Sequence, residues 1–241
     1  MSFRFLLSCA LLSGSVAAFA GGSVEGQILP CRQAEVCAPV SGRILDLKVK
    51  EGDAVRRDQP LALLYGKLEE LEMQRAKALL ERREFEAKGA KRLFENRIIP
   101  ESKAMESRIE LDLARIQYEI AAEQVRLRTI LSPMDGVVVA RSREVGETIA
   151  TAQPLFRILD LSQVVVQVAV APMALAGLAV GQKVRVSLPH IEKSPVVEGQ
   201  VILVGPCADA DGRVRVRVLV DNPEGRIRPW LKAMVELPDP Q

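Results

Sequence analysis

One stretch of the chain returns, without a gap, 94 positions later. The first copy runs Ala38-Pro39-Val40-Ser41-Gly42-Arg43-Ile44, then Glu51-Gly52-Asp53-Ala54-Val55, then Gln59-Pro60-Leu61. The second runs Ser132-Pro133-Met134-Asp135-Gly136-Val137-Val138, then Val145-Gly146-Glu147-Thr148-Ile149, then Gln153-Pro154-Leu155. Six positions coincide: Pro39/Pro133, Gly42/Gly136, Gly52/Gly146, Gln59/Gln153, Pro60/Pro154 and Leu61/Leu155. The glycines suit turns or close backbone approach, where a side chain would clash. Val49, Val55, Leu61 and Leu63 fall at odd positions, the period of a strand with one buried face. One such half buries too little to stand alone, whereas two halves facing each other share the core of a small β-sandwich.

Between the halves the pattern changes. From Lys67 to Leu131 charged residues crowd the chain and glycine and proline nearly vanish. Met73, Ala76, Leu80, Ala87, Ala90 and Phe94 follow a 3–4 spacing, broken only at Arg83, and Ile109, Leu113, Ile116, Ile120, Leu127 and Ile130 do likewise, broken only at Glu123. Both rows read as the seam of a coiled coil. Asn96-Arg97-Ile98-Ile99-Pro100-Glu101 separates them. Pro100 cannot continue the first helix but suits the first turn of the second, and so short a loop forces an antiparallel return. Each arm projects about 45 Å at 1.5 Å per residue.

From Gln163 the strand period resumes: Val164, Val166, Val168 and Val170, then Val184, Val186 and Leu188, then Val214, Val216, Val218 and Val220. Turn signals at Val180-Gly181-Gln182, Ala210-Asp211-Gly212 and Asp221-Asn222-Pro223-Glu224-Gly225 punctuate it. A small closed β-barrel fits, because closure removes edges that would aggregate. Ser23–Glu35 offers a further barrel strand, and Pro172–Leu178 a short helix. Arg213, Arg215 and Arg217 alternate with the last valine row and form a candidate contact face, the competing reading being a solvated outer surface. Trp230 reads as a cap on a barrel end, and His190 as inert.

The first twenty residues stand apart. Arg4, the apolar run Phe5–Leu12 and Ala18-Phe19-Ala20 have the layout of a signal peptide cleaved after Ala20. The stretch is short of the ~20 apolar residues of a spanning helix. Cys31, Cys37 and Cys207 would remain, enough for one disulfide and one free thiol, with the pairing open. A net charge of +2 gives no argument for nucleic acid.

The expected class is therefore mainly β with an inserted antiparallel α-helical coiled-coil hairpin, a split lipoyl-like β-sandwich and a small β-barrel. The expected order is signal peptide 1–20, an N-terminal strand joining the barrel 21–37, a first lipoyl-like half 38–66, the hairpin 67–131, a second half 132–161, and the barrel with its tail 162–241.

With these pieces in order, residues 24 to 238 resemble the periplasmic adaptor, or membrane-fusion, family of tripartite efflux and secretion pumps, the RND-type subgroup most of all. Four stretches carry the likeness: Ala38–Gly42 with Val49–Val55, Thr129–Val138, Pro154–Leu161, and Asp221-Asn222-Pro223-Glu224-Gly225-Arg226-Ile227-Arg228-Pro229. The resemblance implies a periplasmic protein, peripheral to the inner membrane, that joins an inner-membrane transporter to an outer-membrane channel and self-associates into a ring. It implies no cofactor, no metal and no catalysis. The tip residues Leu93, Arg97, Ile98, Ile99 and Glu101 are the expected docking point for the channel. Two departures stand out. Of the family's Arg, Leu and Ser across the tip only Leu93 matches, with Gly89 and Pro100 at the other positions; and Pro229-Trp230-Leu231 replaces the usual Pro-Gly-Met after the closing turn. The chain ends at Gln241, so its hold on the transporter is expected from the barrel, the lipoyl-like ring or another subunit.

Other classes fit less well. An acyl or biotin carrier presents a modified lysine on the turn joining its halves, which the hairpin here replaces. A metal-binding periplasmic adaptor or chaperone needs clustered His, Cys or Met, and the chain has one His. An adaptor of an ABC-type exporter shares the same architecture.

Overall fold

The computed structural model describes residues 22–191 and 195–238; the expected signal peptide and its cleavage after Ala20 lie outside them. In chain order the elements are β1 (Ser23–Cys37), β2 (Gly42–Leu47), β3 (Ala54–Val55), β4 (Pro60–Leu64), α1 (Lys67–Glu95), α2 (Glu101–Arg126), β5 (Thr129–Leu131), β6 (Gly136–Arg141), β7 (Thr148–Ile149), β8 (Pro154–Val170), a 3₁₀ turn (Pro172–Leu175), β9 (Lys183–Ser187), β10 (Val196–Ala208), β11 (Val214–Asp221) and β12 (Lys232–Glu236). They form two compact units. One holds Pro30–Val164 with Asn222–Gly225; the other holds the described residues up to Leu29, Val165–Asp221 and those from Arg226 onward.

In the first unit the repeat is a pair of interlocked halves. One sheet runs β5-β4-β2-β7, and in the other β3 pairs with β6 and β6 with β8. Each half therefore lends a two-residue strand to its twin: β3 pairs with β6, and β7 with β2. The hydrogen bonds repeat across this exchange. Gly52 N–H donates to Val138 O at 2.8 Å and Gly146 N–H to Ile44 O at 2.9 Å; Val138 N–H donates to Asp53 O and Ile44 N–H to Glu147 O. Both glycines lie in the left-handed region, at φ 94° and 92°, which explains their identity. The repeated glutamines act alike too, Gln59 Oε1 accepting from Arg56 N–H and Gln153 Oε1 from Ala150 N–H. A Cβ at Gly136 would sit 2.4 Å from Leu159 O, so β6 lies against β8 only without one. The shared core includes Ile44, Leu61, Leu64, Ile130, Val138, Ile149, Leu155, Phe156 and Ile158.

The hairpin grows from the middle of this sandwich. Arg128, just after α2, ties its base: Nη1 donates to Ser41 O at 3.0 Å and Tyr65 O at 3.3 Å, and Nη2 pairs with Glu69 on α1. On α1 the expected seam holds from Met73 to Ala90, with Ala76 buried and Met73, Leu80, Arg83, Ala87 and Ala90 half-buried, but Phe94, its expected last member, is exposed. On α2 it does not. Ile109, Leu113, Ile116 and Ile120 are exposed, and the helix packs instead through Ala104, Ser107, Leu111, Ala114, Tyr118, Ala121 and Val125. That second row keeps the same 3–4 spacing but is rich in small residues, which let the two backbones approach closely; the large aliphatic side chains are left outside.

In the second unit β1, β12, β9, β10, β11 and β8 follow one another, and β1 also pairs with β8, so the sheet closes into a barrel. β1 supplies the expected extra strand, Ser23–Gln27 pairing with Lys232–Glu236. The barrel core is mainly valine, with Val166, Val168, Val170, Val184, Val186, Val201, Val216, Val218, Val220 and Val235 all buried. β-Branched side chains suit a pleated surface buried on one face.

Candidate docking surfaces

Among the described residues no group of three His, Cys, Asp or Glu side chains is placed to hold a metal ion, and Cys31, Cys37 and Cys207 are all free thiols. Cys31 and Cys37 lie on one strand, roughly 20 Å apart at ~3.3 Å per residue, beyond disulfide reach. Three surfaces are candidates for docking.

The first is the hairpin tip. Arg97 adopts φ 58°, and its N–H donates to Phe94 O while Ile98 N–H donates to Leu93 O, each at 2.8 Å. This is a Schellman end with an arginine where glycine is usual, and its two apolar positions are Leu93 and Ile98. Pro100 is extended (φ −70°, ψ 155°) and starts α2, with Glu101 in its first turn. Leu93 in the last turn of α1, Arg97 and Ile98 in the loop and Glu101 at the start of α2 are exposed, and Ile99 is half-buried.

The second, absent from the sequence reading, is the outward face of α2. Met105, Ile109, Leu113, Ile116 and Ile120 are 49–56% exposed. At about 100° per residue they fall within a quarter-turn of one another, nearly opposite the seam. Exposed Asp112 and Glu119 flank them. The matching outward face of α1 presents Leu71, Ala78 and Phe85 among the exposed Arg75 and Arg82. The apolar spacing signalled this stripe; what the spacing did not reveal is which of two rows α2 turns inward.

The third is on the barrel. The expected arginine face divides: Arg217 is half-buried and its Nε donates to Gln167 Oε1 at 3.2 Å, while Arg213 and Arg215 are exposed. Trp230, expected to cap the barrel, is 51% exposed and has φ 66°. Its N–H donates to Ile28 O at 2.6 Å, and Ile28 N–H donates to Leu231 O at 2.9 Å. Trp230 and Leu231 thus oppose Ile28 alone, a β-bulge with a left-handed residue at its first position, where glycine is the usual occupant.

The two units are thus a split sandwich bearing a coiled-coil hairpin and a six-stranded barrel. The sequence matches the family model described as RND MFP, barrel-sandwich hybrid domain, over residues 32–161, and the one described as CusB-like, beta-barrel domain, over 163–241. The chain belongs to the RND-type membrane fusion protein family. It is 26% identical to the nodulation protein NolF of Rhizobium meliloti over 222 residues, 85% of this chain and 60% of that protein. It is also 26% identical to the nickel-cobalt-cadmium resistance protein NccB of Alcaligenes xylosoxydans xylosoxydans over 215 residues, 83% of this chain and 53% of that one. Its fold is similar to a MacA–MexA chimeric protein carrying the Pseudomonas aeruginosa MexA α-hairpin, with a TM-score of 0.80 at 22% identity, covering 90% of this chain and 81% of that one. The chain spans 46–60% of the length of the curated relatives it matches. Membrane fusion proteins of this kind are periplasmic adaptors of efflux pumps that work with inner-membrane transporters and outer-membrane channels, and the family is in general non-enzymatic. No helix among the described residues is long and apolar enough to cross a membrane.

Proposed function

We propose that this chain is a periplasmic adaptor that joins an RND-type inner-membrane transporter to an outer-membrane channel, performs no bond chemistry, and works as a ring of copies. Export by the leader, with cleavage after Ala20, belongs to this reading, as does channel docking by Leu93, Arg97, Ile98, Ile99 and Glu101. The observation that carries it is the two-faced α2. A helix that already packs its small-residue row on α1 still exposes five large apolar side chains in one stripe, and such a patch on a soluble surface marks an interaction site. The outward face of α1 is apolar too, with Arg75 and Arg82 paired to Glu72 and Glu86, while Asp112, Glu119, Arg108 and Arg115 flank the stripe of α2. Two apolar faces, one on each helix of the hairpin, suit a head-to-tail contact between copies, which closes into a ring where the rotation between copies closes.

The test is crosslinking in the native cell envelope, followed by recovery of the protein and identification of its partners. Recovery of an inner-membrane RND transporter, together with adducts between copies, is the expected result. Recovery of a soluble enzyme complex with no transporter would contradict the reading.

A further inference from the structure

The residue at position 230 is at odds with its backbone. The left-handed first position of a bulge favours glycine, the resembling family places glycine after this proline, and here it is the chain's single tryptophan. Trp230 is half-exposed, so core packing does not explain it. Strained residues that persist are a recognised mark of functional sites, and bulges re-aim side chains at such sites.

What the indole faces is informative. Trp230 lines a cleft of about 400 Å³ with Gln167, Asp209, Arg215, Glu25 and Lys232, the last two paired with each other at 2.6 Å. Arg215 also lines the adjoining cleft of about 260 Å³, with Arg213 and the exposed Leu203. Neither the Arg213 nor the Arg215 guanidinium has a partner among the described residues. Asp209 is already engaged, its Oδ1 accepting from the N–H groups of Asp211 and Arg213. Two unpaired guanidiniums, two residues and so roughly 7 Å apart along the chain, beside an exposed indole, form a cationic and aromatic surface. Tryptophan and arginine are the residue types that most often dominate protein interfaces.

We infer that Trp230, Arg213 and Arg215 anchor an acidic segment of the transporter this adaptor serves, carboxylates pairing with the two guanidiniums and an apolar side chain covering the indole. This rests on the adaptor reading and names its barrel contact. The test replaces Trp230 with the photocrosslinking residue p-benzoylphenylalanine in native envelopes, with Met173 and Val196, both exposed on the same unit, as control positions. An adduct between position 230 and the transporter, lost when Arg213→Glu and Arg215→Glu are combined, is expected. Trp230→Gly, which relieves the left-handed strain, should keep or raise the melting temperature while transporter recovery falls about tenfold or more. A fall in melting temperature with unchanged recovery would make Trp230 a structural cap and overturn the inference. Adducts at Met173 or Val196 but not at 230 would overturn it and leave the adaptor reading intact. Absence of the transporter from every position would remove both. Adducts at 230 to phospholipid alone would assign the surface to the membrane and also overturn it.

Discussion

Arg83 on α1 pairs with Glu110 on α2 at 2.7 Å, and the same guanidinium nitrogen reaches Glu86 at 2.7 Å. Arg83 is the one residue that interrupts the apolar row of α1, and its place in the seam is now explained: it fixes the register of the two helices with a charge pair. The hydrogen bond to Glu86 holds the Arg83 guanidinium above its ordinary pKa, so it stays cationic throughout the working range. Arg83→Glu sets three carboxylates together and should lower the hairpin's melting temperature, followed by circular dichroism at 222 nm. Arg83→Leu completes the apolar row and should leave it near wild type.

The interlocked halves make a second prediction. Ile44 and Val138 occupy equivalent places in the repeat, and both are buried. Asp at either position places an unpaired charge in the shared core, at a cost of several kcal/mol, so either substitution should unfold the sandwich. Replacing Lys67–Arg126 by a short turn, which spares β5 and its buried Ile130, should by contrast leave both β units folded. Denaturant melts of the three variants check this.

A third concerns pH. Asp160 accepts hydrogen bonds from Arg32 Nε and Nη2 at 3.0 and 2.7 Å and from Ser162 N–H and Oγ at 3.1 and 2.6 Å. Burial pushes its carboxyl up, but the bonds from Ser162 and Arg32 outweigh burial and hold the pKa below the ordinary value. Its contribution is therefore complete above the unfolded-state pKa, about 4, and is lost as pH falls through the lower folded-state value. Asp160→Asn should cost about 1–2 kcal/mol at pH 7, and the difference from wild type should shrink as the pH drops below about 4.

At the tip, Arg97→Gly removes a left-handed non-glycine residue and should gain up to about 1 kcal/mol. Ile98→Asp with Ile99→Asp separates two roles. If the tip docks on the channel, efflux by the cells fails while the melting temperature stays near wild type. If the two isoleucines only close the helix end, stability falls and efflux is lost in proportion.

Much of this was legible in the sequence. The repeat survives as six identities because Gly52 and Gly146 need a left-handed backbone and Gln59 and Gln153 close the same turn. The valine rows of β8, β9 and β11 show their period because one face of each is buried. The seam of α2 was misread because two rows share the 3–4 spacing, and spacing carries no information about which faces the partner. Ala104, Ala114 and Ala121 were the missed signal: between close antiparallel helices, small residues fit and isoleucines do not. The strain at Trp230 was out of reach, because it depends on a bulge set by Ile28, two hundred residues earlier.

The central claim is that α2 turns its apolar stripe toward a second copy, and native mass spectrometry tests it most directly. Wild-type protein should show a concentration-dependent oligomer. Ile109→Glu with Ile116→Glu should be monomeric, with helix content and melting temperature unchanged, because both positions lie outside the seam. A wild type that stays monomeric at every concentration, or a double variant that still oligomerises, would contradict it.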